Sequence, residues 1–205
     1  MAKARYYVVW KGRKRGVFSS WTECERQVKG FQGAAYKAFE TAAEAKTALS
    51  TGYEHYRGKS ASLGRWKRSA NKPRTPSLCA DAACSGSPGW LEYQVVETET
   101  GQQVLRAGPF AQGTNNVGEF LAIVEAIRWL HRQRLPWPVY SDSENAITWV
   151  RNGRCNTRLE RTAANRRLFE SITRAEADLH ALPRPSILKW DTRKWGEIPA
   201  DFGRK

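Results

Sequence analysis

The chain has 205 residues, 40% of them hydrophobic and 11% aromatic, with nine Trp; that is enough apolar surface for one or two folded domains and excludes a wholly disordered chain. The net charge is +14, from 34 Lys and Arg against 20 Asp and Glu, and a field of that sign attracts polyanions, nucleic acid above all. No run of about 18 apolar residues occurs, no secretory leader is expected, and Cys24, Cys79, Cys84 and Cys155 lack C-x-x-C spacing, so the expectation is a cytoplasmic protein with reduced thiols, away from membranes.

Residues 1–50 read as ββαβα. Arg5–Trp10 is a β-rich run, Lys11–Arg15 a polar turn and Gly16–Ser19 a second strand. Trp21–Lys29 has helical spacing with Ser20 as N-cap and Gly30 as its stop. Ala35–Phe39 is a third strand, and Thr41–Leu49 a helix opened by a Thr41–Glu44 capping box. Residues 51–75, rich in Gly, Ser and basic residues, read as a flexible linker.

Residues 76–205 alternate strands and helices. Ser77–Ala83 is short and apolar, and Leu91–Glu97 and Gln102–Gly108 form a hairpin through Thr100-Gly101. In Asn116–Arg132, Val117, Phe120, Val124, Ile127 and Leu130 share a helical face. Pro138–Ser141 is a strand, Ser143–Asn152 a helix stopped by Gly153, and Arg161–Ala181 a longer helix. Ile187–Trp190 is the last strand, and Pro199 opens a final short helix. The order implies an α/β domain, a mixed sheet with helices on its faces. The charge divides unevenly: residues 1–75 carry 17 basic and 5 acidic residues, residues 76–205 carry 17 and 15.

Four acids stand out. Asp81 interrupts the apolar run Leu78–Cys84, where a carboxylate must be paired, protonated or bound to a cation unless the strand lies at an edge or bulges. Glu119 opens a helix, where the dipole alone would favour it. Asp142 ends a strand before a helix; it would serve as an N-cap, but Ser141 and Glu144 already supply a capping box. Asp201 follows Pro199 in the last helical turn. Acids gathered at element ends repel one another unless cations fill the cluster; hard oxygen ligands suit Mg²⁺ or Mn²⁺, and two such ions can clamp both oxygens of a phosphodiester displacement. No P-loop, G-x-S-x-G or G-x-G-x-x-G occurs.

Residues 6–39, YYVVWKGRKRGVFSSWTECERQVKGFQGAAYKAF, closely resemble the hybrid-binding (viroplasmin-like) domain of type 1 ribonucleases H. CADAACSGSPG, TNNVGEFLAIVEAI, VYSDSENAITWV and WGEIPADFGRK resemble the catalytic domain of the same family. The resemblance implies a ribonuclease H-like mixed five-stranded sheet flanked by helices, preceded by a small three-stranded α+β domain. It implies an endoribonuclease that hydrolyses the RNA strand of RNA/DNA hybrids with two Mg²⁺ ions, giving 5′-phosphate and 3′-hydroxyl products; nothing in the sequence indicates an oligomer, so a monomer is the default expectation. Asp81, Glu119, Asp142 and Asp201 are then the catalytic, metal-binding carboxylates. Gln112, Thr114 and Asn165 would face a DNA-strand phosphate, Asn116 a 2′-hydroxyl, and Cys84 to Ser87 the RNA strand. In the small domain Trp21 and Tyr36, beside Tyr7, would meet deoxyribose rings, with Lys37, Arg13 and Lys14 on phosphates; the alternative is that Trp21 or Tyr36 packs in the small core. Two departures stand out. Ala38 replaces a second Lys, and the stretch before Asp201 lacks the family's loop His, for which Lys194 is a candidate substitute. The rival reading is a catalytically inactive protein that binds hybrid or duplex RNA; missing carboxylates would be its signature, and all four are present.

Overall fold

The computed structural model describes residues 6–31, 33–53 and 66–202. The chain divides into two compact units, one of residues 1–59 with 202–205 and one of residues 60–201.

The first unit is an antiparallel sheet of order β2-β1-β3 with one helix on each face: β1 (Tyr6–Lys11), β2 (Gly16–Phe18), α1 (Trp21–Val28), β3 (Ala35–Phe39) and α2 (Ala42–Thr51). Strand alternation makes this possible. Val8, Trp10, Ala35 and Phe39 pack on Ala45 and Ala48 of α2, while Val9, with Tyr7 and Tyr36, packs on Cys24 and Val28 of α1. Ser20 caps α1 and the Thr41–Glu44 capping box opens α2. The β1–β2 turn lies against the end of α1, where a Cβ on Gly12 would sit 2.6 Å from Val9 Cγ1 and 2.8 Å from the Gln27 carbonyl oxygen.

The second unit holds a five-stranded sheet of order β6-β5-β4-β7-β8, from β4 (Leu78–Cys84), β5 (Gly89–Glu97), β6 (Gln103–Gly113), β7 (Val139–Ser141) and β8 (Ile187–Lys189). The β4–β5–β6 side is antiparallel and the β4–β7–β8 side parallel. One face is covered by α3 (Asn115–Gln133), α4 (Glu144–Asn152) and α5 (Arg166–Ala181), whose apolar sides meet Leu78, Ala80, Ala82, Leu91 and Val95. The opposite face carries a smaller core of Cys79, Val96, Tyr140 and Trp190, covered by Trp66, Ile198 and Ala200. The mixed five-stranded sheet and the small three-stranded domain before it are the expected architecture. Among the described residues no helix is long and apolar enough to cross a membrane.

Several expectations are corrected. The helix read as Arg161–Ala181 begins at Arg166, because Thr162 and Asn165 exchange side-chain-to-backbone hydrogen bonds that hold a turn instead. The strand read as ending at Gly108 runs on to Gly113, past irregularities in its pairing with β5. Ser143, not Ser141, caps α4, accepting from Ala146 N at 3.2 Å. No helix follows Pro199 among the described residues. Instead the Asp201 N–H donates to the Ile198 carbonyl at 2.8 Å, closing a four-residue turn with Pro at its favoured second position. A short α6 (Thr192–Trp195) precedes it. The 51–75 stretch is not linker throughout: Thr51 ends α2, Tyr53 packs on Trp10, and Trp66 is buried in the second unit. Residues 54–65, including His55, lie outside the described residues, as do Arg5 and the last three residues.

Candidate active site

The carboxylates are placed by sheet register. On the parallel pair β4 and β7, Cys79 lies opposite Tyr140. Asp81 lies two residues further along β4, and Asp142 directly follows the last residue of β7. Glu119 enters from α3, one turn beyond its start. Its approach depends on Gly118, where a Cβ would lie 2.4 Å from Leu91 Cδ1 and 2.6 Å from Ala82 Cβ. Carboxylate oxygens of Asp81, Glu119 and Asp142 lie within 4.8 Å of one another. Asp81 is 1% exposed and Glu119 8%, and the Asn115 amide donates to Glu119 Oε1 at 3.5 Å. Three carboxylates this close, two of them buried, repel strongly at neutral pH and need a positive charge among them. A hard divalent cation fits that donor set.

Asp201 is buried but is not one of the three convergent acids. Its segment is tied to β5 through Gln94, whose side-chain amide donates to the Ala200 carbonyl at 2.6 Å. Gln94 lies directly opposite Asp81 in the β4–β5 register, so one strand pair sets the position of both acids. Gln94 escaped the sequence reading; its signal was a polar residue in the middle of an apolar strand. Lys189 escaped it too. It ends β8 beside Ser141, and its exposed ammonium donates to the Asp142 carbonyl. Lys194, the candidate stand-in for a loop His, is engaged elsewhere: it pairs at 3.0 Å with Asp191, the N-cap of α6.

Of the residues read as nucleic-acid contacts on this unit, Gln112 is exposed with φ 52° and accepts a hydrogen bond from the Thr162 hydroxyl at 2.6 Å. Thr114 precedes α3, and Asn116 is half-buried in its first turn. Cys84 donates to the Gly113 carbonyl at 3.2 Å. Asn165 is 2% exposed, accepting from Thr162 N and donating to the Glu160 carbonyl. It holds its loop together through these bonds. Three of the thiols are unsuited to nucleophilic attack: burial pushes Cys24 up to about 11, Cys155 up to about 12 and Cys79 higher still.

On the first unit Trp21, 43% exposed, sits between Tyr7 and Tyr36 with ring centroids 5.6 and 5.7 Å away. These three are brought together; Lys37 is not. It pairs with Val8 on the strand face that carries α2, opposite to Tyr36, and its ammonium is buried. Arg13 is occupied as well, its guanidinium donating to the Arg26 and Lys29 carbonyls at the end of α1. Arg15 does the same at the end of α2, through the Leu49 carbonyl. Lys14 between them is exposed.

Residues 5–49 match the family model of the ribonuclease H1 N-terminal domain. The chain is 53% identical over 47 residues to a ribonuclease H of Crithidia fasciculata; this covers 23% of the chain and only 10% of that much longer protein. It is 35% identical over 104 residues to a ribonuclease H of Syntrophomonas wolfei, covering 46% of the chain and 70% of the relative. Among solved structures, the RNase H1 of Halobacterium salinarum aligns at 19% identity with a TM-score of 0.38, over 60% of this chain and 91% of that one.

Proposed function

The chain belongs to the ribonuclease H family, and from that premise we propose that it hydrolyses the RNA strand of RNA/DNA hybrids, with two Mg²⁺ ions as cofactor, leaving 5′-phosphate and 3′-hydroxyl ends. The observation that carries the proposal is the convergence of Asp81 from the middle of β4, Asp142 from just past the end of β7 and Glu119 from the start of α3. Divalent cations held there would supply an activated water and Lewis-acid stabilisation of the departing oxygen. The chain's own part is to fix the ligands. β4 carries Asp81 and the end of β7 delivers Asp142, the close helix–sheet contact at Gly118 sets Glu119, and Gln94 draws Asp201 toward β5.

Substrate choice is assigned to the rim. Asn116 would meet the 2′-hydroxyl that distinguishes the strand to be cut, and Gln112 and Thr114 would face a DNA phosphate. The aromatic group Tyr7, Trp21 and Tyr36, with Lys14, makes the first unit the anchoring domain. An exposed Trp21 flanked by two half-buried tyrosine rings, beside a net positive charge, favours a nucleic-acid backbone and its sugars.

The test is an end-labelled RNA paired to DNA, incubated with the full chain in Mg²⁺ or in EDTA, beside the same RNA paired to RNA and an Asp81→Asn protein. Mg²⁺-dependent cutting of the hybrid alone, lost in the variant, is the expected result. Intact hybrid despite clear binding would refute hydrolysis and leave a hybrid-binding protein.

A further inference from the structure

We propose that residues 66–74 form a strap that sets the position of Asp201, so that Trp66 and the Asn71 carbonyl are positioning elements of the catalytic centre. The proposal rests on the reading of Asp201 as a metal-holding carboxylate.

The observations lie within the second unit. Its long helices all cover one face of the sheet; among the described residues none covers the other. That second face is closed by two segments: 66–74, which opens with a 3₁₀ turn (Trp66–Arg68), and the irregular 196–201. Trp66, 3% exposed, stands edge-on to Trp190 at 6.4 Å and shares a core with Ile198 and Ala200, the neighbours of Asp201. Two hydrogen bonds pin the strap: the Arg74 N–H donates to the Tyr140 hydroxyl at 2.8 Å, and the Trp195 indole N–H donates to the Asn71 carbonyl at 2.5 Å. Trp195 in turn packs on Trp190 at 5.0 Å, and the Trp190 indole donates to the Gly196 carbonyl at 2.8 Å.

Segment 196–201 has no helix or strand to fix it. It is held at one end by the Trp190–Trp195–Asn71 contacts and at the other by Gln94 on the Ala200 carbonyl. A carboxylate on irregular backbone keeps its geometry only as well as its neighbours hold that backbone, and a displacement of about 1 Å costs on the order of 100-fold in rate. The strap is one of those two holds, and it is built from residues that otherwise read as interdomain tether.

The experiment uses the full chain with Trp195→Phe, which keeps a ring but removes the donor to Asn71, and with Trp66→Phe as a second, conservative probe of the packing. Amide hydrogen exchange, urea unfolding and steady-state hydrolysis of the hybrid are measured on each, alone and combined with Asp201→Asn. Exchange should rise at least about tenfold in 196–201 while β4 and β5 stay protected, since local opening need not follow global stability. The kcat should fall about tenfold with KM unchanged. In the Asp201→Asn background the strap substitutions should cost nothing more, because both act through one group. Unchanged exchange in 196–201, or losses that multiply with Asp201→Asn, would overturn the strap. Full activity of Asp201→Asn with faster exchange still present would overturn instead the reading of Asp201, and with it the strap's catalytic role.

Discussion

The carboxylate centre of the second unit and the aromatic group of the first are built by opposite rules. Asp81 and Glu119 are almost wholly buried and stand on a central strand and a helix locked to the sheet, whereas Trp21 is left 43% exposed between two other rings. Burial suits the first because charges that hold a cation act most strongly out of water, at the cost of mutual repulsion when nothing is bound. Exposure suits the second because a stacking surface must meet its ligand across a solvated face. Each region would lose its use if given the other's environment.

Substitutions should separate the two. The largest effect belongs to Asp81→Asn: losing one metal-holding charge removes about 4 kcal/mol of transition-state stabilisation, roughly a thousandfold in kcat. Hybrid affinity in EDTA, measured by filter binding, should hold or improve as the repulsion falls. Trp21→Ala should do the reverse. Loss of one stacking ring costs about 1–3 kcal/mol, raising KM while kcat of the bound complex stays unchanged. A fall in kcat instead would show that the first unit does more than anchor. Gly118→Ala tests how closely the first region depends on packing. The new Cβ meets Ala82 Cβ and Leu91, so α3 must retreat; urea unfolding should show a loss of about 1–3 kcal/mol, with a reduced kcat as Glu119 moves away.

Legibility in the sequence followed the same divide. Asp81 was readable because one charge inside an apolar strand demands an explanation, and Ser20 and the Thr41–Glu44 box were readable because caps depend on neighbours one turn away. The second-unit face around Trp66 was not. A lone Trp in a polar stretch has no periodicity, and its partner Trp190 lies 124 positions on. The setting of Asp201 was not legible either: Pro199 fits the start of a helix and the second position of a turn equally well, and Gln94's bond to Ala200, 106 positions away, decides between environments rather than between local patterns. The resemblance gave Lys37 a phosphate contact without a face; the period of two sets it on the α2 face with Ala35 and Phe39.

Smaller effects sort basic residues of the first unit by role. Arg13→Ala removes hydrogen bonds to two carbonyls at the end of α1 and should cost about 1 kcal/mol of that unit's stability, leaving the salt dependence of hybrid binding unchanged. Lys14→Ala should leave stability alone and lower the slope of log Kd against log salt by about 1. A change of slope with Arg13→Ala would restore Arg13 to the phosphate contacts.

The smallest effect belongs to an acid near the centre that serves neither region. Asp191 caps α6, and its hydrogen bond and ion pair with Lys194 hold its carboxyl below the usual range. A carboxyl lowered in the folded state contributes stability above the ordinary pKa of about 4 and loses it as pH falls through the folded value. Asn also caps helices well, so Asp191→Asn removes only the charge. Wild type should therefore be slightly the more stable at pH 7, and the two urea curves should converge toward pH 3, with kcat within about twofold throughout. A large loss of kcat in Asp191→Asn would instead assign this carboxylate to the chemistry, and the boundary between the catalytic acids and the acids that build their frame would have to be redrawn around it.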